Sequence, residues 1–221
     1  MNLIAIETST EVASVALSLG KDVYSLEQVG VRQHAQYLLP MLQTLMQEHQ
    51  LTWSMLQGMV FGAGPGSFTG LRIACSIAQA LAYAHALPIY GISSMDAIAY
   101  QASSLMQAQE LSVGILAMGD ARMQEVYWAY YPPGASFNHS EIRVSPVHEV
   151  PIVEMVPCVL AGWGLEAYHA QLQNKCLSHY AMYPKAETLI RIVQTGVCQA
   201  TTAAEALPLY VRNHVTGDVR G

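Results

Sequence analysis

Charge is what this sequence has least of. Asp, Glu, Lys and Arg make up 12% of its residues, about half the roughly 25% usual for soluble domains. A surface so poor in charge is expected to have a partner. The charges present sum to −6, which argues against this chain gripping nucleic acid alone, because phosphate binding needs a basic face. Any role on RNA would then need a basic partner. Cysteine is sparse too. Cys75, Cys158, Cys176 and Cys198 form no CxxC pair and read as buried thiols of a reducing cytosol rather than as a disulfide or zinc framework. No two of the eight histidines are three or four residues apart, so no helix offers a two-histidine metal face, and neither metal nor cofactor is expected. Long apolar runs are missing as well. The most apolar stretch, 73–92, is broken by Ser76, Gln79, His85 and Pro88, which suits a buried helix better than a membrane span. No basic segment precedes the first apolar run and Glu7 follows it at once, so a signal peptide is not expected and a cytoplasmic location is.

What is present in abundance is apolar residues, 52% of the chain, and one stretch organises them. Residues 58–85 read GMVFGAGPGSFTGLRIACSIAQALAYAH. Met59 to Phe61 enter as a strand, a loop follows, and an alanine-rich helix leaves. The loop Gly64, Pro65, Gly66, Ser67, Phe68, Thr69, Gly70 requires unusual backbone angles or close approach, and Ser67 or Thr69 can cap the helix. Phosphate-binding templates fit poorly. A Walker A loop needs Lys after its last glycine, where Leu71 stands; a dinucleotide fingerprint needs glycine at Ser67; a nucleophile elbow needs glycines at Pro65 and Thr69. Two readings stand: anion binding at a helix N-terminus, and a turn that packs a helix tightly on its neighbours.

Along the chain, three strands are expected within residues 2–29, with the hydroxyl-rich turn Glu7–Thr10 between the first two. Helical spacing predicts a helix over 34–49 and another over 68–85. In the first, Tyr37 and Met41 widen the apolar stripe and Pro40 marks a kink or the first turn. In the second, Ala74, Ala78 and Ala82 fall on one line beside Ile73 and Ile77. A helix with two apolar sides fits a partner or a broad core stripe equally well. A strand is expected over 89–92, a helix from Ser93 or Ser94 to about Met106, strands over 111–118 and 123–131, a core strand over 159–161, and helices over 165–173 and 185–195. The polar stretch 101–110 suggests a division into 1–106 and 107–221, the last residues packing back on the first unit. GILAMGDARMQEVYWAYY repeats the strand, acidic turn, strand order of LIAIETSTEVASVALS, a hint of duplication.

Carboxylates available for chemistry reduce to Glu7, Asp96, Asp120 and Glu125. In a duplicated fold Glu7 with Thr8, and Asp120, occupy equivalent turns and would face a common cleft of the kind that holds a nucleotide; capping of their own turns is the commoner use. His34 offers a catalytic imidazole or, the commoner use, a hydrogen bond at a helix end, and Tyr127, Trp128, Tyr130 and Tyr131 offer stacking rings or simply core. Lys185, Arg191, Arg212 and Arg220 are the cations available for RNA.

LIAIETST, HAQYLLP, GAGPGSFTGLRIA, DARMQEVYWAYY and YVRN together resemble the TsaB (YeaZ) family, accessory proteins of bacterial tRNA threonylcarbamoyladenosine modification, over nearly the whole chain. The resemblance implies an α/β, actin-like ATPase (ASKHA) fold of two subdomains, each a mixed sheet flanked by helices. It implies a non-catalytic scaffold that works with a catalytic paralogue, TsaD, and an ATPase, TsaE, on adenosine 37 of tRNAs reading ANN codons. It places the contact with TsaD, or with a second copy when alone, on the two N-terminal helices, through His34, Tyr37, Leu38, Met41, Ile73, Ala74, Ile77, Ala78 and Leu81. The paired histidines of the catalytic branch are absent here. Glu7 stands where many relatives have Asp, and Gln124 where some have Gly, which leaves Glu7, Thr8 and Asp120 as a vestigial nucleotide cleft. The competing reading is a small-molecule kinase of the same fold, with Glu7 and Asp120 around a magnesium nucleotide. A metalloprotease is a third reading, for which the sequence supplies no ligands.

Overall fold

The computed structural model describes residues 1–30, 34–138, 141–155 and 157–211. Among these residues ten strands form two five-stranded sheets, accompanied by five α-helices. In the first, β1 (Leu3–Glu7), β2 (Val12–Leu19) and β3 (Asp22–Val29) make an antiparallel meander. Parallel strands β4 (Gly58–Gly64) and β5 (Ile89–Ser93) continue it, giving the order β3-β2-β1-β4-β5. In the second, β6 (Gly114–Arg122), β7 (Glu125–Tyr131) and β8 (Arg143–Pro146) are the meander. Parallel strands β9 (Cys158–Trp163) and β10 (His179–Ala181) lie on its other side, in the order β10-β9-β6-β7-β8. Read from the opposite edge the two orders are the same, strand for strand and in every relative direction. The repeat suspected from two short segments therefore extends over both sheets, and the molecule has the α/β, actin-like fold of two mixed sheets flanked by helices.

The helices stack these sheets into layers. Ile4 and Ile6 of β1 point to one face, where they meet α1 (His34–Glu48) and α2 (Phe68–Ala84) in a core with Leu42, Leu45, Phe61 and Ala82. Leu3 and Ala5 point to the other, against Leu189, Ile190 and Val193 of α5 (Ala186–Gln194) and Ala97 of α3 (Ser94–Ala108). The alternation is the pleat of a strand buried on both sides. The expected division near residue 106 falls inside α3, whose Met95, Ile98, Ala102 and Met106 cover the second sheet. The far face of that sheet is closed by short segments, including α4 (His169–Leu172), around Val126, Trp128 and Tyr168.

Several boundaries differ from expectation for local reasons. The strand expected over 111–118 starts at Gly114 and runs to Arg122, because its register with β7 continues through the acidic turn. The helix expected over 165–173 is a 3-10 turn followed by four α residues, since Gly164 has a positive φ and no side chain caps either piece. Strand β10 was not foreseen; His179 to Ala181 are three residues, too few to show a period. Pro40 sits within α1 rather than at its first turn. No helix among the described residues is long and apolar enough to cross a membrane.

Candidate functional site

The glycine loop connects β4 to α2, and what approaches its backbone is the protein's own first turn. Ser67 N donates to the Ser9 carbonyl at 2.7 Å, and Thr8 Oγ1 donates to the Gly70 carbonyl at 2.8 Å. A Cβ at Gly70 would overlap the Thr8 carbonyl oxygen, and one at Gly66 would overlap that of Ser9. Those two glycines exist so that residues 7–10 can lie in the loop. The first turn of α2 is served from within, Ser67 Oγ accepting from Gly70 N at 3.3 Å. The packing reading of GPGSFTG is thus the one the geometry supports.

This clasp corrects the expectation of a shared cleft around Glu7, Thr8 and Asp120. Glu7 and Thr8 are completely buried, because the loop covers them. Glu7 accepts the Ser9 amide, its second oxygen has no hydrogen-bond partner among the described residues, and burial raises its pKa to about 7. Asp120 is half-exposed and otherwise engaged, with Tyr168 Oη at 3.0 Å and Arg122 N at 3.0 Å. The crevice bounded by Pro65, Gly66, Tyr127 of the second half and Leu209–Val211 holds about 70 Å³, room for roughly two waters. A larger cavity of about 670 Å³ lies at the ends of β4 and β5, among Phe61, Ile92, Asp96, Phe137 and Leu207, and none of its lining residues is basic. Asp96 there accepts from Tyr131 Oη at 2.8 Å. Among the described residues neither space offers a phosphate a cation. Among the described residues no three His, Cys, Asp or Glu side chains stand close enough to share a metal ion.

The helices divide the expected contact residues by burial. Leu38, Ala74 and Ala78 have no exposed surface. They belong to the core beneath the helices, so their assignment to a contact surface is corrected: the line of alanines lets α2 approach its own sheet. Met41, Ile73, Ile77 and Leu81 are half-buried at the edge of that core, and Tyr37 is exposed. His34 begins α1, but its side chain lies outside the described residues. The outward side of α2 carries a shallow depression of about 470 Å³ lined by Phe68, Thr69, Arg72, Ile73, Ser76 and Ile77. Phe68 is 55% exposed and Tyr83 84%, large values for apolar rings.

One member of this surface was not foreseen. The chain returns after α5 as an extended strap, Leu209 N donating to the Ala63 carbonyl at 2.7 Å and Gln79 Nε2 to the Ala206 carbonyl at 2.8 Å. Tyr210 then stands beside α2. Arg72 Nε donates to its hydroxyl at 3.2 Å, and the Arg72 guanidinium lies 3.8 Å from the centroid of Phe68. The YVRN segment signalled this only as a motif; Arg212 and Asn213 lie outside the described residues, as does Arg220. Of the cations considered for RNA, Lys185 pairs with Glu27 at 2.8 Å and Arg191 with Glu187 at 3.7 Å. Trp128 and Tyr131 are buried and Tyr127 and Tyr130 half-buried in a sheet covered on both faces, which makes all four packing residues first.

Residues 25–139 match the family model described as TsaD, tRNA N6-adenosine threonylcarbamoyltransferase. The chain is 31% identical to the tRNA threonylcarbamoyladenosine biosynthesis protein TsaB of Haemophilus influenzae, over 98% of this chain and 95% of that one. It is 33% identical to the Escherichia coli protein of the same name, over 97% and 96%. Among solved structures, YeaZ from Pseudomonas aeruginosa superposes with a TM-score of 0.84 at 32% identity, covering 95% of this chain and 99% of that one. Identity at this level along almost the full length of each, together with a superposable two-sheet fold, makes this chain a member of the TsaB (YeaZ) family.

Proposed function

We propose that this protein takes part in tRNA threonylcarbamoyladenosine biosynthesis as a non-catalytic scaffold, required for modification of adenosine 37 in tRNAs that read ANN codons. The half formed by residues 1–106 presents the docking face, and the catalytic paralogue TsaD occupies it. In the paralogue's absence a second copy of this chain does so, and the ATPase TsaE joins the assembled pair. The observation that carries this reading is the outward side of α2, where Phe68 and Tyr83 are exposed and half-buried Ile73 and Ile77 line a shallow depression, together with exposed Tyr37 and half-buried Met41 of α1. Isolated exposed rings are ordinary, but exposed rings on the same helix as an isoleucine-lined depression, on a surface short of charge, fit an interaction site. Burial of Glu7 and Thr8 under the glycine loop counts against the kinase reading, which needs both turns open to a magnesium nucleotide. tRNA then meets this chain only through the complex, in keeping with the net charge of −6.

The test is size exclusion of the purified chain with purified TsaD, wild type against Ile77→Arg. Ile77 is half-buried at the helix surface, so the variant keeps its fold while the heterodimer is lost. A heterodimer that survives Ile77→Arg at unchanged melting temperature would overturn the docking face. Reconstituted modification lacking only this subunit tests the scaffold role; full activity without it would overturn that too.

A further inference from the structure

Cys158 opens β9 with its side chain buried among Leu116, Val150 and Leu172. Cys176 lies in the turn that leaves α4, half-buried at the margin of the same cluster. Their sulfurs are 3.6 Å apart. The backbone holds them in register: Leu177 N donates to the Cys158 carbonyl at 2.9 Å, and Leu160 N to the Ser178 carbonyl at 2.9 Å. The pairing of β9 with β10 thus begins beside the two thiols. The other two cysteines face elsewhere, Cys75 Sγ to the Ala206 carbonyl at 3.5 Å and Cys198 Sγ to that of Ile192 at 4.0 Å. Two of the four cysteines are therefore set for bond formation, one of them buried and the other half-buried.

We infer that Cys158 and Cys176 are an oxidation site, a dithiol that hydrogen peroxide converts to an intramolecular disulfide. The Cys176 thiolate attacks one peroxide oxygen; an S–O bond forms, the O–O bond breaks, and hydroxide leaves to be protonated. The Cys158 thiolate attacks the resulting sulfenic sulfur; the S–S bond forms, the S–O bond breaks, and the second hydroxide leaves to be protonated. Two thiols and one peroxide give one disulfide and two waters, the sulfur pair losing the two electrons the peroxide gains. The contact between the two sulfurs, with burial, holds the Cys176 thiol above its ordinary value and favours the Cys158 thiolate, so ionisation of Cys176 limits the first step, which quickens as pH rises, and the resolving sulfur is the more readily ionised of the two. The bond would close the segment between residues 158 and 176, which carries Tyr168, the residue that holds Asp120 and the Glu125 carbonyl at the base of the β6–β7 turn.

The full chain treated with hydrogen peroxide, alkylated with N-ethylmaleimide and digested without reductant tests this. The expected result is a single cross-linked peptide joining Cys158 to Cys176, with free thiols falling from four to two. The melting temperature rises by roughly 5 °C. Dithiothreitol reverses both changes, and Cys176→Ser shows neither. In Cys158→Ser the sulfenic acid on Cys176 persists and is captured by dimedone. Sulfinic acid on Cys176 with Cys158 still alkylated, cross-links to Cys75 or Cys198, or no dimedone adduct would each overturn the assignment.

Discussion

The carboxyl group of Glu7 occupies the space that a side chain at Gly62 would fill. Because the group is wholly buried, with one oxygen unpartnered among the described residues, desolvation raises its pKa from 4.5 to about 7. The folded state therefore holds this proton more tightly than the unfolded chain does. The resulting stability is complete below the unfolded value and declines as pH rises from 4.5 toward about 7, a loss of roughly 3 kcal/mol in all. Glu7→Gln is uncharged throughout and is expected to remove that decline. Urea denaturation of both proteins at about pH 5 and about pH 8 measures it; equal pH dependence in the two would refute the assignment.

Gly70→Ala forces a methyl group onto the Thr8 carbonyl. The atom in the way is backbone, and it belongs to a turn clamped by two hydrogen bonds. A loss of about 2–3 kcal/mol is expected, read as a lower urea midpoint at unchanged slope. A midpoint within error of wild type would mean that the clasp is looser than its geometry.

Neighbouring residues on α2 should behave as opposites. Ile77→Arg keeps the fold and weakens partner binding by at least about 2 kcal/mol, roughly thirtyfold, if the residue is central to the contact. Ala78→Arg puts a cation into a core position with no exposed surface and is expected to leave the chain insoluble or unfolded. Circular dichroism alongside calorimetry with TsaD separates the outcomes. The reverse pattern would exchange the inner and outer sides of the helix.

Arg122, Met123 and Gln124 turn from β6 into β7 with φ of 64°, 55° and 65°, a left-handed run that L-residues adopt at a cost. Gln124→Gly relieves one position and should stabilise by about 1 kcal/mol, a rise of roughly 2–4 °C in melting temperature. No change would place the strain in Arg122 and Met123 alone.

The strands and long helices were legible because their side chains alternate or repeat against a core, as Leu3 to Ile6 and the stripe from Leu38 to Met46 do. The duplication showed in two strand pairs, although the weakest strands, β8 and β10, have too few apolar residues to reveal a period. At the site, sequence spacing named the right helices but could not tell the two sides of α2 apart. Ala74 and Ile73 are adjacent and both apolar, and only the sheet beneath decides which is covered. The fate of Glu7 was hidden for another reason. An acid in a hydroxyl-rich turn reads as open to solvent, and what buries it comes from some sixty residues away. Tyr210 beside Arg72 was out of reach because the two lie 138 residues apart in the sequence.

The position of α5 bears on how the protein is made. Leu3, Ala5 and Val60 of the first sheet find their cover in Leu189, Ile190 and Val193, residues made long after the strands they cover. Until then one side of that sheet has only α3 to shield it, and α3 is also claimed by the second sheet. A nascent chain therefore holds these strands half-covered until α5 has been made, and a product ending before Ala186 would carry a bare hydrophobic face.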